Sequence, residues 1–385
     1  MGLAPKMPIG VLIVDDSPFM RMTLQKILNQ DPDIKVLDTA RNGQEGILKL
    51  QALHPQVVTM DVEMPVMNGL QALEEIMRWQ PTPVIILSSV TTEGTQATLK
   101  ALDLGACDVV SKPSGSPGDD LKALSLDLVE KVKAAAGVNM ARLGRKELPL
   151  SPTLQAPFSK GLIPTGVAIA SAPARQIQPL KTTGRTGLIP KHAIEIVAIG
   201  TSTGGPSALQ AVLPTLPADF PVPVLVAQHM PAGFTGPLSL RLNGLCPLHV
   251  REGIHGEALK AGTVYVAPAG KQMQVQRIAG QLTLHIGEEA PIPTLYHPSV
   301  DIMFMSLAKV VGKGSLAVVM TGMGSDGTKG MKELKVLEGF AIAESEETCV
   351  VYGMPRSLVE AGLADRVVPL GEIGRTILEC VMRRG

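Results

Sequence analysis

Between positions 9 and 136 the chain alternates short, continuously apolar runs with longer stretches in which apolar residues recur every three or four positions. The runs at 9–14, 34–40, 56–60, 83–88 and 106–110 have the length and continuity of strands buried on both faces. The stretches 21–29, 43–53, 70–78 and 95–104 have helical spacing, and 121–136 would add a fifth helix. This alternation predicts an α/β domain with a parallel sheet covered on both sides. A second block begins near Lys191. Its predicted strands are 194–199, 222–227, 263–267, 272–277, 281–286, 316–320 and 340–344, with helices over 206–213, 235–243, 299–311 and 329–338. Two runs flanking Ala279-Gly280 read as an antiparallel hairpin. The rest predicts a second doubly wound α/β domain with a mostly parallel sheet.

Residues 139–190 break the pattern. They hold seven prolines, seven Lys or Arg and one acid, Glu147, with no sustained period. A basic linker of mixed extended conformation is expected there. At 385 residues the chain fits two domains on either side of it. Lys+Arg and Asp+Glu number 35 each and aromatics make up 3%, so neither a basic field nor a stacking platform points to nucleic acid. The four cysteines (Cys107, Cys246, Cys349, Cys380) are scattered, without metal-ligand spacing. No run has the length of a membrane span, and Asp15 and Asp16 interrupt the only apolar run near the N-terminus. A soluble, cytoplasmic protein without membrane insertion is the expectation.

Ligand sites in open parallel sheets lie beyond the carboxyl ends of the strands. In the first block those ends carry Asp15 and Asp16 in "LIVDDSP", Asp61 in "VVTMDVEMPVMNG", Ser88 in "VIILSS" and Lys112 in "VVSKP". One acid there could serve as a helix cap; five such residues in order converge on one edge. Three carboxylates together repel unless a cation neutralises them, and a hard divalent ion such as Mg²⁺ suits oxygen ligands. A carboxylate could then attack a phosphoryl group whose oxygens Lys112 and Ser88 receive.

In the second block, "VAIGTSTGGPSAL" places Ser202 in a G-x-S-x-G turn between a strand and a helix, the setting of a nucleophile elbow. An anion-binding loop and a plain turn are the alternatives, but Walker-type and dinucleotide spacings are absent. Of seven histidines, His229 in "PVLVAQHMP" falls just past the next strand, with His297 in "YHPSVD" as runner-up. Asp326, in "TGMGSDGTKG" among glycines 322, 324 and 327, could orient the base. Those glycines suit an oxyanion-binding loop. Asp301 competes, but reads better as a first-turn helix acid. The order Ser, His, Asp differs from that of α/β-hydrolases, which suggests a separate fold rather than excluding a triad.

Residues 8–125 resemble a response-regulator receiver domain with a flavodoxin-like sheet. By that resemblance Asp61 is the phospho-acceptor, Ser88 the switch hydroxyl and Lys112 the phosphate-contacting lysine. Asp15, Asp16, Asp61 and the Glu63 backbone carbonyl would hold Mg²⁺. Val109 stands where an aromatic switch residue is frequent, which argues against an aromatic flip. The chain as a whole resembles the bacterial chemotaxis protein-glutamate methylesterase family. The matching motifs are "AIGTSTGGPSAL", "AQHMPAGFT", "YVAPAGKQM", "HPSVDIMF", "TGMGSDGTKGM" and "ESEETCVVYGMPRS".

The resemblance implies Ser202 as nucleophile, His229 as base and Asp326 as orienting acid. Met323 would give its N–H to the oxyanion and Thr203 would support the site. Thr201 fills a position where Ala is common. The implied organisation is a receiver over 8–138, a linker over 139–190 and a catalytic domain over 191–385, with no cofactor in the catalytic domain. The implied partners are methyl-accepting chemoreceptors as substrate and a chemotaxis histidine kinase as phosphodonor, and a monomer is expected. The receiver is expected to cover the Ser202 cleft until Asp61 is phosphorylated.

Overall fold

The structure, a computed structural model, describes residues 7–89, 91–113, 119–138, 140 and 188–382. The linker expected at 139–190 therefore lies outside the described residues, apart from Met140 and 188–190. Strands β1 (Ile9–Val14), β2 (Ile34–Ala40), β3 (Val57–Asp61), β4 (Val84–Ser88) and β5 (Asp108–Ser111) form one parallel sheet in the order β2-β1-β3-β4-β5. Helices α1 (Pro18–Leu28), α2 (Gly43–Leu53), α3 (Gly69–Trp79), α4 (Thr92–Asp103) and α5 (Asp119–Ala135) cover its faces. The helix starts follow local chemistry. Asn68 and Gln71 form a reciprocal capping box at α3. Ser17 accepts from the Met20 N–H ahead of Pro18, so α1 starts three residues before the apolar periodicity indicates. β5 starts later than the apolar run, because Ala106 is still bonded back to Ala101 in the turn after α4.

The second sheet is built from β6 (Ile196–Thr201), β7 (Val224–Gln228), β8 (His249–Glu252), β9 (Thr263–Val266), β12 (Ser315–Val319), β13 (Phe340–Glu344) and β14 (Arg366–Val368). Its order is β14-β13-β12-β6-β7-β9-β8, and every pairing is parallel. The expected hairpin is present as β10 (Gln272–Ile278) and β11 (Gln281–Gly287), with Ala279 and Gly280 both at positive φ, as a tight two-residue turn requires. β8 (HVRE) has a single apolar residue and β14 only three residues, so neither makes an apolar run.

One face of this sheet packs α6 (Gly205–Val212), α7 (Thr235–Leu245) and α11 (Leu370–Val381). The other packs α8 (Val300–Val310), α9 (Thr328–Val336), α10 (Met354–Glu360) and the hairpin. Alternate residues of β6 enter the two cores, Val197 and Ile199 on one side and Ile196 and Ala198 on the other. That explains why the strand is apolar throughout. Chain order reverses between β1 and β3 in the first sheet and between β6 and β12 in the second, and doubly wound folds bind ligands at such points.

Candidate active site

Ser202 follows β6 at the reversal point of the second sheet. Its N–H donates to the Thr321 carbonyl at 3.0 Å, and its own carbonyl accepts from Gln228 Nε2 at 2.9 Å. The elbow turns so sharply because Gly204 adopts φ +78°, and a Cβ there would press on Val350 at 2.7 Å. The loop after β12 comes equally close. A Cβ on Gly322 would lie 2.8 Å from the Cβ of Ser202, so only glycine admits this approach. Met323, the next residue, borders the same cleft as Ser202 and His229. Thr201 is not idle: its hydroxyl donates to the Gln228 side-chain oxygen, so the two strand ends are stitched together behind the serine.

His229 follows β7, and its Nε2 lies 2.8 Å from Asp326 Oδ2. Its Nδ1 is buried and has no hydrogen-bond partner among the described residues. Asp326 also accepts from Ser299 Oγ (2.9 Å), Val300 N (2.7 Å) and Asp301 N (3.0 Å), so the carboxylate caps the start of α8. Burial pushes its pKa up, but the His229 hydrogen bond and these backbone donors outweigh that and hold it below the usual carboxylate range. Asp301 returns the favour to α9, accepting from Gly330 N at 2.8 Å. Burial, with the nearby Asp326 charge, raises the Asp301 pKa to about 6. Asp301 thus sits in the first turn of α8, as its sequence position suggested, yet its carboxylate serves the neighbouring helix. His297 borders the cleft, and its backbone carbonyl accepts from Gly270 N.

Two features of this site have no signature in the local sequence. The Tyr296 ring stacks on His229 with centroids 4.1 Å apart and planes 5° from parallel. The Thr203 hydroxyl donates to Asp108 Oδ2 of β5 at 2.5 Å, across the boundary between the two sheets. Beside it, Gly204 N donates to Cys107 O at 3.3 Å. Lys131 of α5 donates to Val109 O at 2.5 Å and lies 3.5 Å from Asp108 and 3.0 Å from Asp127. The cleft, about 540 Å³, is therefore walled on one side by Ser202, His229 and Tyr296 and on the other by Leu124, Asp127 and Glu130 of α5.

The first sheet's acid cluster forms as expected. One oxygen from each of Asp15, Asp16 and Asp61 lies within 4.8 Å of the others. Lys112 Nζ sits 2.7 Å from Asp61 and 3.1 Å from Asp15 Oδ2, although that buried oxygen accepts no well-aligned hydrogen bond. Burial, only partly opposed by Lys112, raises the Asp61 pKa. Glu63 and Ser88 line the adjoining cavity of about 230 Å³. Ser88 Oγ donates to the carbonyls of Ser89 (3.2 Å) and Gly94 (3.1 Å) at the start of α4, rather than to Asp61. Three carboxylates converging on one another with a single ammonium between them fit a small divalent cation.

Residues 11–123 match the response regulator receiver domain model, and 197–377 match the CheB methylesterase model. A protein-glutamate methylesterase/protein-glutamine glutaminase of Desulfitobacterium hafniense is 66% identical over 99% of this chain and 99% of its own. The chain belongs to the protein-glutamate methylesterase family. A second relative of the same name, from Oleidesulfovibrio alaskensis, is 44% identical over 97% of this chain and 100% of its own. The crystal structure of the Thermotoga maritima CheB methylesterase catalytic domain is 41% identical, covers 49% of this chain and 99% of its own, and gives a TM-score of 0.47. Within the family frame, the doubly wound receiver and the doubly wound methylesterase architecture are both as expected. Among the described residues no helix is long and apolar enough to cross a membrane.

Proposed function

We propose that this protein is a phosphorylation-regulated serine esterase that hydrolyses glutamyl methyl esters on the cytoplasmic helices of chemoreceptors, and deamidates glutamines by the same route. The observation that carries this reading is the convergence of Ser202, His229 and Asp326 from three strand ends at one reversal point. Nε2 of His229 donates to Asp326, which leaves Nδ1 as the nitrogen free to take the Ser202 proton. Ser202 Oγ then bonds to the γ-carbonyl carbon, and the Met323 N–H receives the oxyanion. Collapse expels the methoxy group, which takes the proton from His229 and leaves as methanol. Water repeats the sequence on the acyl-enzyme, releasing glutamate and restoring the serine. For glutamine the leaving group is ammonia. Thr203 supports the loop through its carbonyl, which accepts from Thr321 Oγ1 at 2.9 Å.

Control resides in the receiver, for which we assign residues 8–138, with 139–190 as the linker and 191–385 as the catalytic domain. Asp61 accepts the phosphoryl group from a chemotaxis histidine kinase, and Lys112 holds its oxygens. Asp15, Asp16, Asp61 and the Glu63 carbonyl would hold Mg²⁺, which when bound neutralises the acid cluster during transfer. Ser88 turns from its carbonyls toward the new phosphoryl oxygens. Lys112 adjoins β5, whose Asp108 grips Thr203, so a shift at the phosphorylated pocket reaches the nucleophile loop through one strand.

The test is methanol release from methylated receptor membranes by full-length protein, with and without a small-molecule phosphodonor. Wild type releases methanol faster with the donor; Ser202→Ala loses roughly 10⁴-fold or more. A wild type that releases no methanol, or a Ser202→Ala variant as fast as wild type, refutes the reading. An output domain that merely binds a partner would tolerate Ser202→Ala. A general esterase would cleave small aryl esters and ignore the receptor.

A further inference from the structure

The contacts around the His229–Tyr296 stack hold it in place. The Tyr296 carbonyl accepts from Gln272 Nε2 at 2.8 Å, and Gln272 Oε1 accepts from Ser299 N at 2.8 Å. Ser299 Oγ donates to Asp326 Oδ1, and Asp326 Oδ2 holds His229 Nε2. From His229 the stack returns to Tyr296, so five residues close a ring of contacts around the base. Gln272 is fully buried, which fixes this tether between the tyrosine and the acid. The Tyr296 hydroxyl lies near the 322–324 loop, since a Cβ on Gly324 would come within 3.3 Å of it. Burial raises the phenol to about 12, so the ring stays neutral while the base works.

We propose that Tyr296 is a positioning residue for His229. Hydrogen bonding at Nε2 fixes one point of the imidazole but leaves it free to rock about that bond. A parallel ring at 4.1 Å removes that freedom and holds Nδ1 in one plane beside the cleft that Ser202 also lines. The same face also favours the imidazolium that forms when Ser202 gives up its proton, because a cation over a π-face is attracted by the ring quadrupole. The stack therefore stabilises the state close to the transition state more than the resting one, and should act on kcat rather than on KM. This inference rests on His229 being the base.

The experiment compares Tyr296→Phe, Tyr296→Leu and Tyr296→Met with wild type in the phosphodonor-stimulated methanol assay, and repeats Tyr296→Leu in a His229→Ala background. The phenylalanine keeps the ring and should stay within about 3-fold of wild type. Leucine and methionine fill the space without a π-face, and each should lower kcat about 10-fold, with KM within about 2-fold. Without His229 there is nothing to position, so Tyr296→Leu should change the residual rate by less than about 2-fold. Unchanged kcat in both aliphatic variants overturns the proposal. So does a rise in KM alone, a phenylalanine variant as slow as leucine, or a full further loss in the His229→Ala background. Failure of the underlying reading looks different: His229→Ala itself would then retain wild-type activity.

Discussion

The acid pocket around Asp61 and the cleft around Ser202 occupy the same kind of place, yet their charges are arranged in opposite ways. In the pocket, three carboxylates face one ammonium, and a buried Asp15 oxygen has no aligned donor. In the cleft, one carboxylate receives four donors, from His229, Ser299, Val300 and Asp301. The first arrangement is electrostatically incomplete and responds to whatever cation or phosphoryl group arrives. The second satisfies its carboxylate at rest, while His229 Nδ1 faces a cleft walled by the other domain. On the proposed reading, phosphorylation acts on the wall of the cleft and leaves the Asp326 contacts in place.

The contrast is broken most severely at its well-satisfied end. Asp326→Asn keeps the shape but replaces the acceptor that fixes the histidine tautomer, and kcat should fall about 10⁴-fold. Circular dichroism checks that α8 keeps its cap. A fall below about 10-fold would mean that Asp326 orients nothing. At the incomplete end, Asp61→Asn should leave the unstimulated rate near wild type and abolish all stimulation by phosphodonor. If Asp61→Asn is still stimulated, the pocket is not the input.

Asp108→Ala tests the wall between the two sites. The Thr203–Asp108 hydrogen bond is buried and carries a charged acceptor, a type that contributes about 1.5–3 kcal/mol. Losing it should raise the unstimulated rate about 10- to 100-fold, up to the stimulated ceiling. Undiminished phosphoryl uptake at Asp61 separates release of the wall from unfolding of the receiver. No rise would place the closure elsewhere.

The two sheets and both site clusters are legible in the sequence because their cause is local. A continuous apolar run makes a strand, and whatever polar residue ends it arrives at the sheet edge. Ser202, His229, Asp61 and Lys112 announce themselves this way, and Asp326 by the glycine-rich turn that follows β12. Asp108 does not: it reads as one more strand residue, and its partner Thr203 is 95 positions away in another domain. Tyr296 gives no signal either, since a ring in a turn specifies no neighbour. Thr201 looks inert until Gln228 is placed beside it. What escapes is contact between elements whose relative placement is set by packing. The edge strands β8 and β14 escape for a simpler reason: β8 has a single apolar residue and β14 only three residues.

Domain closure should also depend on pH. Burial raises the pKa of Asp127 and, against the cleft, that of Glu130. The closed state thus holds these protons more tightly than an open state in which the two acids meet water. Closure is favoured at low pH and weakens as pH rises through the ordinary carboxylate range toward the raised values. The ratio of unstimulated to stimulated rate cancels the pH dependence of the triad, so this ratio should climb with pH over that window. Asp127→Asn with Glu130→Gln should flatten it. A ratio that falls with pH would reverse the sign and refute the assignment.

The smallest effect belongs to the rim. Arg241 of α7 pairs with Asp103 of α4, and Gln210 Nε2 donates to the same aspartate at 3.2 Å. The Arg241 side chain is 37% exposed, whereas Thr203 and Asp108 are both buried. Water screens the rim pair, and holding a long side chain in one geometry costs entropy, so such a pair contributes about 0.2–1 kcal/mol. Arg241→Ala should raise the unstimulated rate by at most about 5-fold, and added salt should shrink the difference between variant and wild type. Asp108→Ala should be far less sensitive to salt, because its hydrogen bond is shielded from the solvent ions. If Arg241→Ala opened the cleft as far as Asp108→Ala does, the domains would be held by their rim charges, and the buried contact beside Ser202 would merely accompany closure.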